Sequence, residues 1–282
     1  MPGVTIREAH WSSPITTHAL FYRLYHPTPQ SRGLVVLIHG FGEHGGRYNT
    51  VASRLAQRGW SVACVDLWGH GRSGGQRGGI ERFADYFDDL EALVTTLWLP
   101  ATSHDRYALL GHSFGGLLAM AWAIRGVPSG CRCLVVQSPL LGVGYSVPTW
   151  KTALASGLAK VWPRLSLPIG LDPTWLTHDG EVIRRYRTDP LIHRRITLQG
   201  YLALQSAMQR VREEAYRINL PTLMMYGTAD RVISLATCQE VFERLQCVKR
   251  LKVFEGCYHE LHFESVQAQV IDEITTWMSV HH

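Results

Sequence analysis

The pentapeptide GHSFG at residues 111–115 is the part of this sequence whose residue types and spacing could do chemistry. An apolar, strand-like run ends just before it at Leu110, and an apolar run of helix-forming residues covers 117–124. A G-x-S-x-G pentapeptide between a strand and a helix is typical of a nucleophile elbow, where a strained turn exposes the serine hydroxyl. The pattern therefore predicts that Ser113 is a nucleophile.

A second pentapeptide of the same pattern, GRSGG at residues 71–75, shows how little the pattern decides alone. It lies several residues beyond a strand-like run, and no apolar helix follows it. A helix that merely begins with a serine would also fit residues 111–115. The flanking sequence favours Ser113 as the nucleophile and predicts that Ser73 lies in a loop.

A serine hydroxyl is a weak nucleophile at neutral pH, so it needs a general base, and the base needs an acid that orients it. On a sheet of this kind the chain order is serine, then aspartate or glutamate, then histidine, each after a strand. Asp230 follows the apolar run at 222–226, and His259 follows the run at 251–254. We therefore predict a catalytic triad of Ser113, Asp230 and His259.

Other residues fit the same order less well. Asp172, Asp179 and Asp189 lie in a segment without core strands, and His262 is only three residues past His259. An aspartate after a strand is more commonly a turn or helix-cap residue. The prediction depends on the agreement of order and strand placement for all three triad members.

Backbone amides complete the predicted chemistry. The anion that forms on an attacked carbonyl is stabilised by two N–H groups in such an elbow. One belongs to the residue after the nucleophile, which is Phe114. The other belongs to the loop after an earlier strand, where Phe41 follows the apolar run at 34–38. We predict that these two amides form an oxyanion hole.

The whole chain has 282 residues, of which 46% are hydrophobic and 18% are charged, as expected of a globular protein with a sizeable core. No stretch reaches the ~18 consecutive apolar residues of a membrane span, and the start does not have the pattern of a signal peptide. The six cysteines form no C-x-x-C pair and no zinc-ligand cluster. This favours free thiols in a cytoplasmic, reducing compartment and no bound metal.

Apolar strand-like runs alternate with helical patterns along most of the chain, but the alternation stops between residues 141 and 217. Such alternation predicts an α/β fold with a mostly parallel central sheet flanked by helices. Residues 141–217 lack apolar strand-like runs, and their pattern is typical of helices and loops. We predict a core formed by residues 1–140 and 218–282, with residues 141–217 inserted as a helical cap.

The net charge of +5 is concentrated in this predicted cap, which holds 11 Lys and Arg against 6 Asp and Glu. No nucleic-acid-binding motif accompanies the charge, so we expect no nucleic-acid partner. The pattern predicts a helix over 148–163, bounded by prolines, with Trp150 and Trp162 on its apolar face. That face either packs on the core or lines the mouth of an acyl tunnel and makes peripheral contact with an anionic membrane.

Six motifs give the chain a resemblance to the monoacylglycerol lipase and lysophospholipase branch of the α/β-hydrolase superfamily. They are HGFGEHGGRY at 39–48, DLWGHGRSGG at 66–75, GHSFGG at 111–116, YRTDPLI at 186–192, YGTAD at 226–230 and EGCYHELH at 255–262. The resemblance implies an α/β-hydrolase fold and a serine esterase that hydrolyses monoacylglycerols to fatty acid and glycerol without a cofactor. It also implies a site for the glycerol headgroup, formed by Glu43, Arg47, Tyr186 and His262.

Several alternatives remain open. Glu43 and Arg47 could be an ion pair that fixes their loop, and Tyr186 could be a packing residue. The same triad could act on lysophospholipids, short-chain esters, thioesters or small peptides, because a fold does not determine its substrate. A ligand-binding receptor on a hydrolase fold is the non-enzymatic alternative, and the intact triad argues against it.

Overall fold

The computed structural model describes residues 3–28, 30–145 and 155–282. This part of the chain forms ten strands: β1 (Val4–Ser12), β2 (Ala19–Pro27), β3 (Leu34–Ile38), β4 (Ser61–Asp66), β5 (Tyr107–His112), β6 (Cys131–Gln137), β7 (Ser166–Pro168), β8 (Arg195–Thr197), β9 (Thr222–Gly227) and β10 (Lys249–Phe254). Eight of them form one sheet in the order β1-β2-β4-β3-β5-β6-β9-β10. Strand β2 is antiparallel to both its neighbours, and the pairs from β4 to β10 are parallel.

Helices connect the parallel strands and flank the sheet. Eight α-helices lie wholly within the described residues: α1 (Asn49–Gln57), α2 (Phe83–Ala92), α3 (Leu99–Thr102), α4 (Phe114–Arg125), α5 (Gly180–Thr188), α6 (Leu198–Glu214), α7 (Leu235–Arg244) and α8 (Gln267–His281). Residues 155–159 are also helical. A π-helical stretch, Leu93–Trp98, joins α2 to α3, and short 3₁₀ helices lie at Gly45–Tyr48, Pro173–Trp175, Ala215–Arg217 and Leu261–Phe263.

Strand β3 shows why the sheet is covered on both faces. All five of its residues are buried, which a continuous apolar run in a parallel sheet requires. Because side chains alternate across a strand, Leu34, Val36 and Ile38 pack into the core that contains α2, α4 and α6. Val35 and Leu37 pack into the opposite core with α1 and α8. The sheet therefore lies between two helical layers, and the loops at the carboxyl ends of its strands, including the elbow, start from this rigid support.

The segment from residue 141 to residue 217 contains α5, α6 and a structure that the sequence did not predict. Strands β7 and β8 form a separate antiparallel pair in which Leu167 faces Ile196. Each strand has only three residues, which is too short for an alternating apolar pattern to be recognised. In its described residues, segment 141–217 thus contains helices and also a small two-stranded sheet.

The helix predicted over 148–163 lies partly outside the described residues, because 146–154, including Trp150, are not described. Within the described part, residues 155–159 are helical and the helix ends there, before Pro163. The side chains of Val161 and Trp162 that follow are 67% and 59% exposed. The predicted extension of the helix to Pro163 is therefore wrong. The exposure of Trp162 also contradicts the first alternative, packing on the core, and the second, contact with a membrane, stays a prediction.

The six cysteines all lie in the described ranges, and no disulfide joins them. In the same ranges, no helix combines the length and the apolar composition that a membrane span needs.

Candidate active site

Ser113 occupies a strained turn between β5 and α4. Its φ of 51° and ψ of −114° lie in a region that residues with a side chain rarely adopt. Glycines permit the turn: a Cβ at Gly111 would lie 2.3 Å from the carbonyl oxygen of Gly115, and one at Gly115 would lie 2.1 Å from that of Ile38. The serine is consequently held at the amino end of α4, where backbone N–H groups are unpaired.

The side chains of His259 and Asp230 meet at the carboxyl edge of the sheet. Nδ1 of His259 lies 2.7 Å from Oδ2 of Asp230, and both side chains are buried. The other oxygen, Oδ1, accepts hydrogen bonds from the backbone N–H groups of Val232 and Ile233 at 2.8 and 3.2 Å. The carboxylate is thus fixed by its own loop and orients the imidazole.

The environment of His259 determines how readily it takes up a proton. Burial alone would lower the pKa of His259, but the negative charge of Asp230 and the hydrogen bond between the two side chains raise it, and the net direction is upward. Glu260 and Glu43 act in the same direction. A raised pKa favours the imidazolium, which is the form that a general base adopts after removing a proton from serine.

Ser113 and His259 both line a cavity of about 480 Å³. Much of its wall is apolar, and this includes Leu140, Leu171, Leu176, Ile196, Leu204 and Met208. A cavity of this size with a few polar groups at one place is typical of a small-molecule site. A substrate carbonyl held at Ser113 would place an apolar substituent among these side chains.

The loop that carries Phe41 is fixed on both sides of that residue. The backbone N–H of Gly40 donates to Oε1 of Glu43 at 2.6 Å, and the carbonyl oxygen of Gly42 accepts from the N–H of His193 at 2.8 Å. Phe41 lines the cavity, and its ring meets that of buried Phe114 edge-to-face at 5.6 Å. The structure therefore places both predicted oxyanion residues beside Ser113, and their amide roles stay predictions.

Two of the four predicted headgroup residues line the cavity, namely Glu43 and Tyr186. Arg47 is not among the described residues of the cavity wall. Its guanidinium donates to Glu43 and lies between the rings of Tyr186 and Phe263, 4.9 and 5.0 Å from their centroids. Arg47 therefore lies behind the wall and supports the residues that form it.

His262 lies away from the cavity, next to a separate void of about 10 Å³ that Leu110 and Ile274 also line. Its Nδ1 is 2.7 Å from the amide nitrogen of Gln137, and its ring stacks on that of Tyr48 at 4.8 Å. This placement does not agree with the expected direct contact between His262 and a headgroup. The reason is local: the 3₁₀ helix after His259 turns the later histidine toward the core.

Comparison with known proteins identifies the family. A family model described as serine aminopeptidase, S33, matches residues 29–266. The chain belongs to this family. It is 32% identical over 279 residues to a monoacylglycerol lipase of Mycolicibacterium smegmatis, with 98% of each chain covered. It is 34% identical over 266 residues to the monoglyceride lipase of Homo sapiens, covering 92% of this chain and 86% of the relative.

The solved structure of Paleococcus ferrophilus monoacylglycerol lipase has a TM-score of 0.81 to this S33 hydrolase at 30% identity, covering 99% of this chain and 100% of that one. The predicted α/β-hydrolase fold is confirmed. With relatives of this similarity over its full length, this S33 family member is a serine hydrolase of the lipase type, a carboxylic ester hydrolase.

Among the residues of the S33 hydrolase's cavity that were not predicted from the sequence, two lie directly beside predicted catalytic residues in the chain. Glu260 lines the cavity, and both its carboxylate oxygens accept hydrogen bonds from Arg47, at 2.5 and 2.8 Å. His112 also lines it, with its ring 4.8 Å from that of His259. Each is the direct sequence neighbour of a predicted catalytic residue, and that adjacency is the signal that could have found them.

The rival residues of the S33 hydrolase have other partners. Ser73 lies in a loop, where its hydroxyl donates to the carbonyl of Asp66 and accepts from the N–H of Phe21. Asp172 and Asp179 cap helices, and the side chain of Asp189 lies 3.0 Å from that of His44. In the described ranges, no group of three or more His, Cys, Asp and Glu side chains is arranged to hold a metal ion.

Proposed function

We propose that this protein hydrolyses monoacylglycerols to a fatty acid and glycerol. The proposal is supported by Ser113 and His259, which line a cavity with an apolar wall and charged and polar residues, and by Asp230, which contacts His259. The names of its relatives in Mycolicibacterium smegmatis and Homo sapiens support the same substrate class.

The proposed reaction proceeds through an acyl-enzyme. His259 removes the hydroxyl proton of Ser113, whose oxygen attacks the ester carbonyl. The N–H groups of Phe41 and Phe114 donate to the resulting oxyanion. His259 then gives its proton to the leaving glycerol oxygen, and a water molecule activated by the same histidine releases the fatty acid. Asp230 holds the imidazole in the productive tautomer and stabilises its charged form.

The proposed division of the site follows the chemistry of its walls. The acyl chain lies against the apolar residues, many of which belong to segment 141–217, the proposed cap over the core of residues 1–140 and 218–282. The glycerol headgroup lies at the polar end, where Glu43 and Tyr186 reach the cavity. Arg47 supports this end from behind, and His262 contributes only through the packing of the elbow.

We also propose that a cytoplasmic form of the protein makes peripheral contact with membranes through the cap. Val161 and Trp162 are exposed next to Lys160 and Arg164, a combination that favours the interface of an anionic bilayer. Co-sedimentation with anionic vesicles at low salt tests this. Replacing both exposed apolar side chains by serine is expected to reduce the bound fraction, and equal binding by the two proteins would contradict the proposal.

The activity itself is tested by measuring fatty-acid release from monoacylglycerols of several chain lengths. Lysophosphatidylcholine, a short-chain nitrophenyl ester and an aminoacyl anilide serve as competing substrate classes. Preferential cleavage of monoacylglycerols supports the proposal. Cleavage of the short ester or of the anilide alone would leave a serine hydrolase and refute the lipid assignment.

A further inference from the structure

Three buried charged side chains stand together at the polar end of the cavity, with Arg47 between Glu43 and Glu260. Nη1 of Arg47 donates to both carboxylates, and Nη2 donates to Oε2 of Glu260 at 2.8 Å. The side chains are 7%, 4% and 3% exposed in that order. Two carboxylates share one guanidinium, so the cluster has one negative charge in excess.

The contacts of the cluster lower the pKa of Glu43 and pair Glu260 with Arg47. Burial is the largest single influence on the pKa of Glu43 and raises it, but the Arg47 guanidinium, the hydrogen bond from the Tyr48 hydroxyl and other nearby groups together lower the pKa below its usual value. Oε1 of Glu43 also accepts from the hydroxyl of Tyr48 and the N–H of Gly40, each at 2.6 Å. Both oxygens of Glu260 accept from Arg47, a bidentate ion pair that fixes the position of this carboxylate.

The described wall of the cavity includes the two glutamates and not Arg47. Glu43 and Glu260 line it and are the only Asp, Glu, Lys or Arg side chains among its described wall residues, whereas Arg47 is covered by two aromatic rings. His112 also faces the cavity, but burial lowers its pKa well below the usual value, so it stays neutral. Arg194 acts on Tyr186 from an exposed position, where water and salt screen its charge.

We propose that this cluster, through Glu260, excludes esters whose leaving alcohol has a negative charge and admits neutral or cationic alcohols. The inference rests on the proposed function, because it concerns the leaving-group end of the same cavity. A like charge brought within a few ångströms in a partly buried site lowers binding about tenfold or more. Removal of Glu260 would leave Glu43 and Arg47 as a neutral pair, so replacing this one carboxylate removes the charge in excess.

The test uses octanoyl esters below their aggregation limit, so that the basic surface of the cap does not concentrate one substrate over another. The substrates are 1-octanoylglycerol, 1-octanoylglycerol 3-phosphate and octanoylcholine. The parent protein is expected to cleave the phosphate ester with a kcat/KM at least about a hundredfold below that of octanoylglycerol. Octanoylcholine is expected to be cleaved within about tenfold of octanoylglycerol.

Two variants of Glu260 distinguish an effect of its negative charge from an effect of the shape of its side chain. Glu260→Gln is expected to raise the phosphate-to-glycerol ratio of kcat/KM at least about tenfold, whereas Glu260→Asp keeps the charge and the low ratio. Glu264→Gln is the matched control: Glu264 lies in the same loop, is buried, and contacts His178 outside the cavity wall. Its ratio should equal that of the parent protein. A change in substrate ratio is a result that simple destabilisation would not produce.

Equal ratios for Glu260→Gln and Glu264→Gln, with both proteins folded by thermal denaturation, would overturn the inference. If Glu260→Gln does not fold, the parent protein decides: similar rates on the neutral and the phosphate ester would also overturn it. Cleavage of octanoylglycerol without charge discrimination refutes only this inference. Absence of cleavage of every octanoyl ester refutes the proposed function as well.

Discussion

Nδ1 of His259 lies 2.7 Å from Oδ2 of Asp230, although the two residues are 29 positions apart in the chain. The register of the sheet explains this contact. Strands β9 and β10 are parallel neighbours in which Tyr226 lies beside Val253, so both strands end at the same edge of the sheet. A loop of a few residues follows each strand and places the side chains of Asp230 and His259 at the edge of the sheet where β5 ends and Ser113 begins the turn.

Replacing Ser113 by alanine is expected to abolish ester hydrolysis, with a loss on the order of a millionfold in kcat, because the nucleophile of a triad has no substitute. Fatty-acid release measures this, and a serine-reactive fluorophosphonate should label the parent protein only. Ser73→Ala is the matched control, since this serine occupies the second G-x-S-x-G pentapeptide. It should keep its activity and lose some thermal stability, because its buried hydroxyl binds Asp66 and Phe21.

Asp230→Asn should lower kcat about ten-thousandfold, because an amide no longer selects the productive tautomer of His259. The pH profile provides a second test. Asp230 raises the pKa of His259, and activity requires the neutral base, so activity falls as the pH drops through that pKa. Without the carboxylate the pKa falls, and the acid limb of the residual activity should move to lower pH. An acid limb that stays in place would mean that another group determines it.

Replacing Met208 by tryptophan should shorten the acyl chains that the protein accepts. Met208 lines the cavity from α6, and a larger side chain would occupy part of the space that an acyl chain fills. The kcat/KM for long-chain monoacylglycerols is expected to fall at least about tenfold relative to that for octanoylglycerol. Gln209→Trp, on the exposed face of the same helix, should leave this ratio unchanged. Equal effects at the two positions would refute the proposed acyl site.

Replacing Gly115 by alanine should destabilise the elbow by at least about 2 kcal/mol, because the added Cβ would lie 2.1 Å from the carbonyl oxygen of Ile38. Denaturant unfolding measures the loss. Gly157→Ala is the matched control, since among the described residues no atom beyond its chain neighbours and its own helix backbone lies within 4 Å of the position of its added Cβ. That change is expected to leave the free energy of unfolding the same or raise it slightly.

His262 should make the folded protein sensitive to mild acid. Burial lowers the pKa of His262 to about 3, so between the ordinary histidine value and pH 3 the unfolded chain binds a proton that the folded chain excludes. The free energy of unfolding therefore falls as the pH falls, by up to about 1.4 kcal/mol per pH unit from this residue. In His262→Gln that contribution is absent, and unfolding measured from pH 7 to pH 4 should show a shallower decline. Parallel curves would contradict this assignment.

Local patterns predicted most of the central sheet and the elbow. Buried parallel strands such as β3 are continuous apolar runs, and the elbow requires glycines at fixed positions on either side of Ser113, so both leave signals within a few residues. The pair β7–β8 left no such signal, because three residues in a short strand show no period. For Trp162 the sequence left two alternatives, packing on the core or contact with a membrane, since an apolar stripe does not specify which surface it meets; its exposure excludes the first.

The sequence by itself determined which residues could do chemistry and in what order they follow the strands along the chain. It could do so because bond geometry and side-chain periodicity act locally. Only the tertiary structure decided the surroundings of those residues. It placed Glu260 on Arg47, 213 positions away, and it turned His262 into the core. Such contacts depend on how separate elements pack and where a short 3₁₀ turn directs each side chain, and neither follows from spacing along the chain.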